Sequence, residues 1–497
     1  MKRTIAGLAF VVCAGAASLF FLARGWSARP SQATAHVMPR SAAAVLQGAT
    51  AFEVNNGLIP PKSVYSGPLF QLSHNWPTTP PPPVAAFPWQ QAIHMQQITP
   101  QNAAAYVAAL KAYVSANARK LIFDYPHWNA QAAGWYNEPW TGSLREAIYG
   151  TYPAGTFSAA NFPNTGLRAT FDTYVLTFYD QRAAYMLYKL WGSTAASPSV
   201  QTAHSQFPEG SVIVKLALFT SATAGMPTNW WDVLKGTAEV PLYIDATDND
   251  DPPTKPVAQP AYMAQFDIIV KDSHSSPKTG WVFSTLVYDL NAPGKDAWDK
   301  MVPLGAMWGN DPGVPAGQTL MENWINPQAP AYSTMTLGWG GRLSGPNDGA
   351  QNAIAYSGKA YGNVADSSCM SCHGPAEWDN AKHQMDSFIL PGTLVAPNTP
   401  QTTDSSAQCT ASSNGDYICS PAPASQDWMR WFQSRPGTVP QDQGAVALDY
   451  DDVMAFKSLP LWWLATGPKG QAIPQTMLPS HVRRFNQYTG APLPPQK

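Results

Sequence analysis

The chain has 497 residues with 12% charged, 45% hydrophobic and 12% aromatic positions, and a formal net charge of −2. The charged share is about half the usual ~25%, and neutral polar residues and proline take its place. So aromatic-rich a composition excludes disorder, 47 prolines argue for ordered loops over a helical bundle, and the lack of a Lys/Arg-rich run excludes nucleic acid and anionic membrane surfaces as partners.

Lys2 and Arg3 precede an uncharged run, Thr4 to Ala23, which ends in Arg24, Arg29 and the small-residue site Ala33-Thr34-Ala35. A basic start, an apolar run and an A-x-A site predict a secretory signal over 1–35, cleaved before His36. The run is also about as long as a spanning helix, so an uncleaved N-terminal membrane tether is the alternative. Either way the body lies outside the cytoplasm, and a bacterial periplasm is the expected compartment. Cys13 follows Val11-Val12 and reads as an ordinary cysteine of the signal segment.

Residues 36–98 read as an extended Pro-rich arm, with a polyproline stretch at Pro80 to Pro83. Over 99–204 an aromatic-rich helical region is expected. Thr99-Pro100 is a helix start, and Val107, Leu110, Val114 and Leu121 predict a helix over 100–121. A second helix is expected at Asp180–Trp191, stopped by Gly192. The aromatic stretches at Trp135–Trp140 and Tyr149–Pro153 between them read as packed loops.

From 205 the pattern changes to strands. Ser211–Thr220, Gln265–Lys271 and Trp281–Asp289 predict a mostly antiparallel sheet, the last two joined by a hairpin loop at Asp272 to Gly280. In the first run Val212, Val214, Leu216 and Leu218 form one face, and Lys215 lies on the other. The expected fold class is therefore α+β: an N-terminal helical and loop-rich region, then a β-rich domain over 205–390, then a loop-rich extension over 391–497.

Cys369-Met370-Ser371-Cys372-His373 carries the chemistry. C-x-x-C-H is the c-type haem attachment signature. Two thiols one helical turn apart add across the two haem vinyl groups, and the following His373 falls beneath the iron as proximal ligand. One motif predicts one covalent haem c. A zinc site would use Cys369, Cys372 and His383, but no fourth ligand has comparable spacing. A Cys369–Cys372 disulfide lacks a thioredoxin-like context. Cys409 and Cys419 read as a structural disulfide in an oxidising compartment.

The far side of the iron separates an electron carrier from an open site that binds small molecules. Met385, Met429, Met454 and Met477 follow the motif, and each reads first as a core residue. Arg145, Arg182 and Arg342 are candidates to pair with haem propionates. His127, His274 and His383 read as ordinary histidines. Asp245, Asp248, Asp250 and Asp251, and likewise Asp449, Asp451 and Asp452, read as solvated acidic loops, calcium being the alternative.

Phe207-Pro208-Glu209-Gly210-Ser211-Val212-Ile213-Val214-Lys215, then Gly280-Trp281-Val282-Phe283, then a late C-x-x-C-H-G-P resemble the β-sheet haem family. That family holds the lysine-cross-linked, hydroxylamine-oxidising cytochromes and the β-type cytochromes c-prime. The resemblance covers about 205–380. It implies a five-coordinate haem under a sheet, with Cys369 and Cys372 as attachment points and His373 as proximal ligand. Lys215 is a candidate for the cross-linking lysine, although a solvated strand-end lysine is the simpler expectation. The sequence thus suggests an exported mono-haem c-type cytochrome that passes electrons to or from a protein or small-molecule redox partner. The alternative is a five-coordinate haem enzyme or gas-binding protein acting on a small nitrogen or oxygen species.

Overall fold

A computed structural model describes residues 50–467, 485–486 and 491–492, except 53–58, 142–144, 158, 223–229, 245–255, 349–350, 357–358, 388, 392, 396–407 and 412–416. The signal segment, Met477 and the acidic stretch Asp245–Asp251 lie outside the described residues. No described helix is long and apolar enough to cross a membrane.

The described chain is α+β. At its centre is a nine-stranded antiparallel sheet of β1 (Trp135–Tyr136), β2 (Tyr152–Phe157), β3 (Phe171–Asp180), β4 (Val212–Ser221), β5 (Glu239–Ile244), β6 (Val257–Lys271), β7 (Trp281–Tyr288), β8 (Met301–Met307) and β9 (Asn323–Ile325). The main path runs β1-β3-β4-β6-β7-β8-β9, with β2 also on β3 and β5 also on β6. The helices are α1 (Pro88–Ala92), α2 (Ala103–Phe123), α3 (Gln181–Trp191), α4 (Ala331–Thr334), α5 (Cys369–His373), α6 (Gln426–Met429) and α7 (Leu459–Thr466).

The expected strands stand as β4, β6 and β7, with β6 and β7 antiparallel across the expected hairpin loop. The sheet is larger than expected. Trp135-Tyr136 and Tyr152-Pro153, read as loops, belong to β1 and β2. β3 precedes α3 and pairs with β4 along nine positions, so the boundary placed at 205 falls between two neighbouring strands of one sheet. All ten residues of β3 are buried, and such a strand lacks the alternation that marks a half-exposed one.

Both faces of the sheet are covered. Even-numbered β4 residues Val212, Val214, Leu216 and Leu218 pack under α2, with Tyr106, Val107, Leu110, Val114 and Leu121. Odd-numbered Ile213, Ala217 and Phe219 join a second core with Met186, Leu187, Leu190 and Trp191 of α3 and Met370 of α5. The residue 36–98 arm is integral to the first core where it is described, through Phe70, Leu72, Phe87 and Trp89. Gln90 and Tyr106 both donate to buried Asp272, at 2.8 and 2.6 Å. Helix α2 starts at Ala103, later than expected, because Asn102 rather than Thr99 occupies the N-cap position. Helix α3 is capped by the Asp180 side chain, which accepts from Ala183 N at 2.8 Å, and ends at Gly192 with φ +63°.

Candidate functional site

Helix α5 is a single turn with its cap written into the sequence. Ser368 Oγ accepts from Ser371 N at 3.0 Å, and Ser371 Oγ accepts from Ser368 N at 2.6 Å. Ser368 Oγ also donates to Asn310 Oδ1 at 2.7 Å, and Cys369 N donates to Leu343 O at 2.9 Å, which ties the turn to the β8–β9 connection and to the segment beyond β9. Gly338 lets the backbone reach this entry, since a Cβ there would lie 1.9 Å from Ser367 O. Cys369, Cys372 and His373 have the i, i+3, i+4 spacing of one helix face. Both thiols are free, and burial pushes both well above the ordinary thiol range.

The imidazole is held in one orientation. His373 Nδ1 lies 2.9 Å from the carbonyl oxygen of Tyr450. A carbonyl can only accept, so Nδ1 carries the hydrogen, and in the neutral ring Nε2 is the nitrogen with a lone pair for a metal. The Phe283 ring of β7 stands edge-on to the imidazole at 5.0 Å. The Tyr450 segment is registered to the motif by Glu377–Trp378, which pair with Val446–Ala447 just after α5. Leu448 N donates to Ala376 O at 2.8 Å. The residue 391–497 extension therefore completes the site.

A polar row crosses the apolar sheet face on the side of the motif. Register aligns Thr177 of β3, Lys215 of β4, Asp267 of β6 and Thr285 of β7. Lys215 Nζ sits 3.0 Å from Asp267 and 3.7 Å from Asp348. Thr285 Oγ1 donates to Asp267 at 2.8 Å. The expectation of a solvated strand-end lysine is thus corrected: Lys215 lies mid-strand with its side chain 19% exposed. Burial works against its charge, but Asp267 and Asp348 outweigh that and hold the ammonium above its ordinary range, with Cys369 also within electrostatic reach.

The acidic segment at Asp449–Asp452 is another correction, because Asp449 and Asp451 are buried. Asp449 pairs with Lys271 at 2.7 Å. Tyr179 donates to both oxygens of Asp451, at 3.0 and 3.1 Å. Burial and the neighbouring Asp451 push Glu138 well above the carboxylate range, and burial raises Asp451 to about 6.

The candidate arginines are spent elsewhere. Arg342 donates only to backbone carbonyls, those of Asn310, Trp339, Asp311 and Val314. Arg145 is buried on Gly150 O and Thr141 Oγ1, and Arg182 reaches Pro82 O and Glu209 O. His127 pairs with Asp124 at the surface, His274 faces Met95 O, and His383 stacks on Trp463 at 3.6 Å. Met385 and Met454 are core residues of the motif-side cluster. Met429 packs in a separate cluster with Trp428, Trp431 and Phe432. No group of three or more His, Cys, Asp or Glu suited to a metal occurs among the described residues. The backbone pairs Cys409 with Cys419 across a short hairpin, but their side chains lie outside the described set.

Comparison of the chain with protein-family models, with curated proteins and with solved structures finds no match.

Proposed function

We propose that this protein is an exported mono-haem c-type cytochrome that binds one covalent haem c and transfers electrons. Cys369 and Cys372 would attach the haem, and His373 Nε2 would ligate its iron. The observation that carries this reading is the hydrogen bond from His373 Nδ1 to the Tyr450 carbonyl beside two free thiols on the same turn. A metal-bound imidazole usually makes such a bond, which fixes its tautomer and raises its basicity. The bound haem would supply one-electron chemistry. The fold would supply attachment, orientation of the imidazole and the electrostatics of the surrounding pocket. Export rests on the N-terminal sequence pattern alone, and either a redox protein or a small molecule would serve as partner.

The polar row favours a second reading, a five-coordinate haem enzyme or gas-binding protein of the β-sheet class. Lys215, Asp267 and Asp348 place largely buried charge close to the motif, which a simple carrier does not need. On this reading Lys215 is the residue that matches the cross-linking lysine of the resembling family. Absorption spectra of the oxidised and reduced protein, with and without carbon monoxide, test both readings. A c-type spectrum supports haem attachment, and ready carbon monoxide binding to the ferrous form supports the open site. Absence of any haem absorbance would refute both.

A further inference from the structure

We infer that Lys271 and Asp449 form a positioning pair that sets the electron richness of His373 by fixing the Tyr450 carbonyl. The inference rests on the haem reading above. Asp449 lies against the paired ends of β6 and β7, at Lys271 and Trp281, and its carboxylate is fully enclosed. It accepts from Lys271 Nζ at 2.7 and 3.0 Å, from Trp281 Nε1 at 2.7 Å and from Phe207 N at 2.8 Å. Lys271 also lies over the Trp281 ring at 5.2 Å. Gly437 closes the last side, where a Cβ would stand 1.7 Å from Asp449 Oδ1.

So many donors to one carboxylate hold a backbone that would otherwise relax. Asp449 and Tyr450 have φ of +51° and +68°. Two consecutive non-glycine residues in the left-handed region are a strained arrangement that persists only when its surroundings hold it. This kink turns the Tyr450 carbonyl toward His373, while the Tyr450 hydroxyl is anchored separately on Arg435 O at 2.7 Å. The carboxylate therefore acts on the iron through one residue of backbone and one hydrogen bond. A strong bond to Nδ1 gives the ring imidazolate character and favours the ferric state. Loosening the kink weakens that bond and favours the ferrous state.

The test uses the exported holoprotein with Lys271→Met, Asp449→Asn and Trp281→Phe. Trp281→Phe removes one donor and keeps a ring, so it reads the same effect should either other change prevent folding. At a fixed applied potential near the midpoint, the ferrous-to-ferric ratio should rise about tenfold in Lys271→Met, equivalent to ~59 mV for a one-electron couple. Trp281→Phe should shift it in the same direction by less. The iron–histidine stretch, read just after photolysis of carbon monoxide, should fall in frequency. A merely structural brace would change stability and leave both readouts in place. Variants that retain haem with a ratio within twofold of the parent and an unchanged stretch would overturn the inference. A parent protein without haem would remove the inference together with its premise, a distinct result seen before any variant is made.

Discussion

His373 donates from its ring to the backbone of Tyr450, 77 residues further along the chain, at 2.9 Å. The donor lies in a motif legible in the sequence. The acceptor is a main-chain oxygen in a segment that reads as an acidic loop. This bond leaves Nε2 as the only ring nitrogen able to coordinate iron.

Replacing His373 with Ala should remove the axial ligand but leave the haem bonded to Cys369 and Cys372. The ferrous spectrum should lose the pattern of a nitrogen-ligated c-type haem, while a haem stain on a denaturing gel stays positive. Loss of the stain in that variant would show that ligation, and not the thioethers, retains the cofactor.

Met429 and Met454 should prove to be packing residues. Met429→Ala should leave spectrum and carbon monoxide binding unchanged. Met454 is fully buried in the motif-side core, so Met454→Ala should cost roughly 2–5 kcal/mol by denaturant unfolding with little spectral change. A near-infrared sulfur-to-iron band that disappears in either variant would contradict the open-site reading and restore the simple carrier.

Lys215→Met should strand the buried Asp267 carboxylate. Breaking such a pair costs roughly 3–5 kcal/mol. Adding Asp267→Asn should recover part of that loss, because the uncompensated charge disappears. Equal stability of the single and double variants would show that the pair contributes no coupling.

Burial raises Asp180 from an ordinary 3.8 to about 7 and Asp172 to about 6. A carboxyl with a raised folded value stabilises the fold fully below its unfolded value, and this contribution disappears as pH rises through the folded one. Unfolding free energy should therefore fall between pH 4 and pH 7, each such group contributing a slope of up to ~1.4 kcal/mol per pH unit. Asp180→Asn keeps an acceptor at the cap of α3 and should flatten the slope by about one proton. An unchanged slope in that variant would contradict the assignment.

What could be read in advance follows physical lines. The motif, α3 and strands β4, β6 and β7 carry local signals of spacing, caps and β-branched runs. β1 and β2 did not, because two aromatic residues or a Tyr-Pro pair become strands only by pairing with β3. The buried setting of Lys215 is visible in the sequence. Its face also carries Ile213, Ala217 and Phe219, too apolar to be solvated. The charge density at Asp449 and Asp451 resembles a solvated loop until Lys271, Trp281 and Tyr179 supply partners remote in sequence.

The most direct test is mass spectrometry of the proteolytic peptide that contains Cys369 to His373, taken from protein exported by a host able to attach haem. The account predicts a peptide heavier by the mass of one haem, bonded through both sulfurs. A peptide with two unmodified thiols, or with a Cys369–Cys372 disulfide, would contradict it.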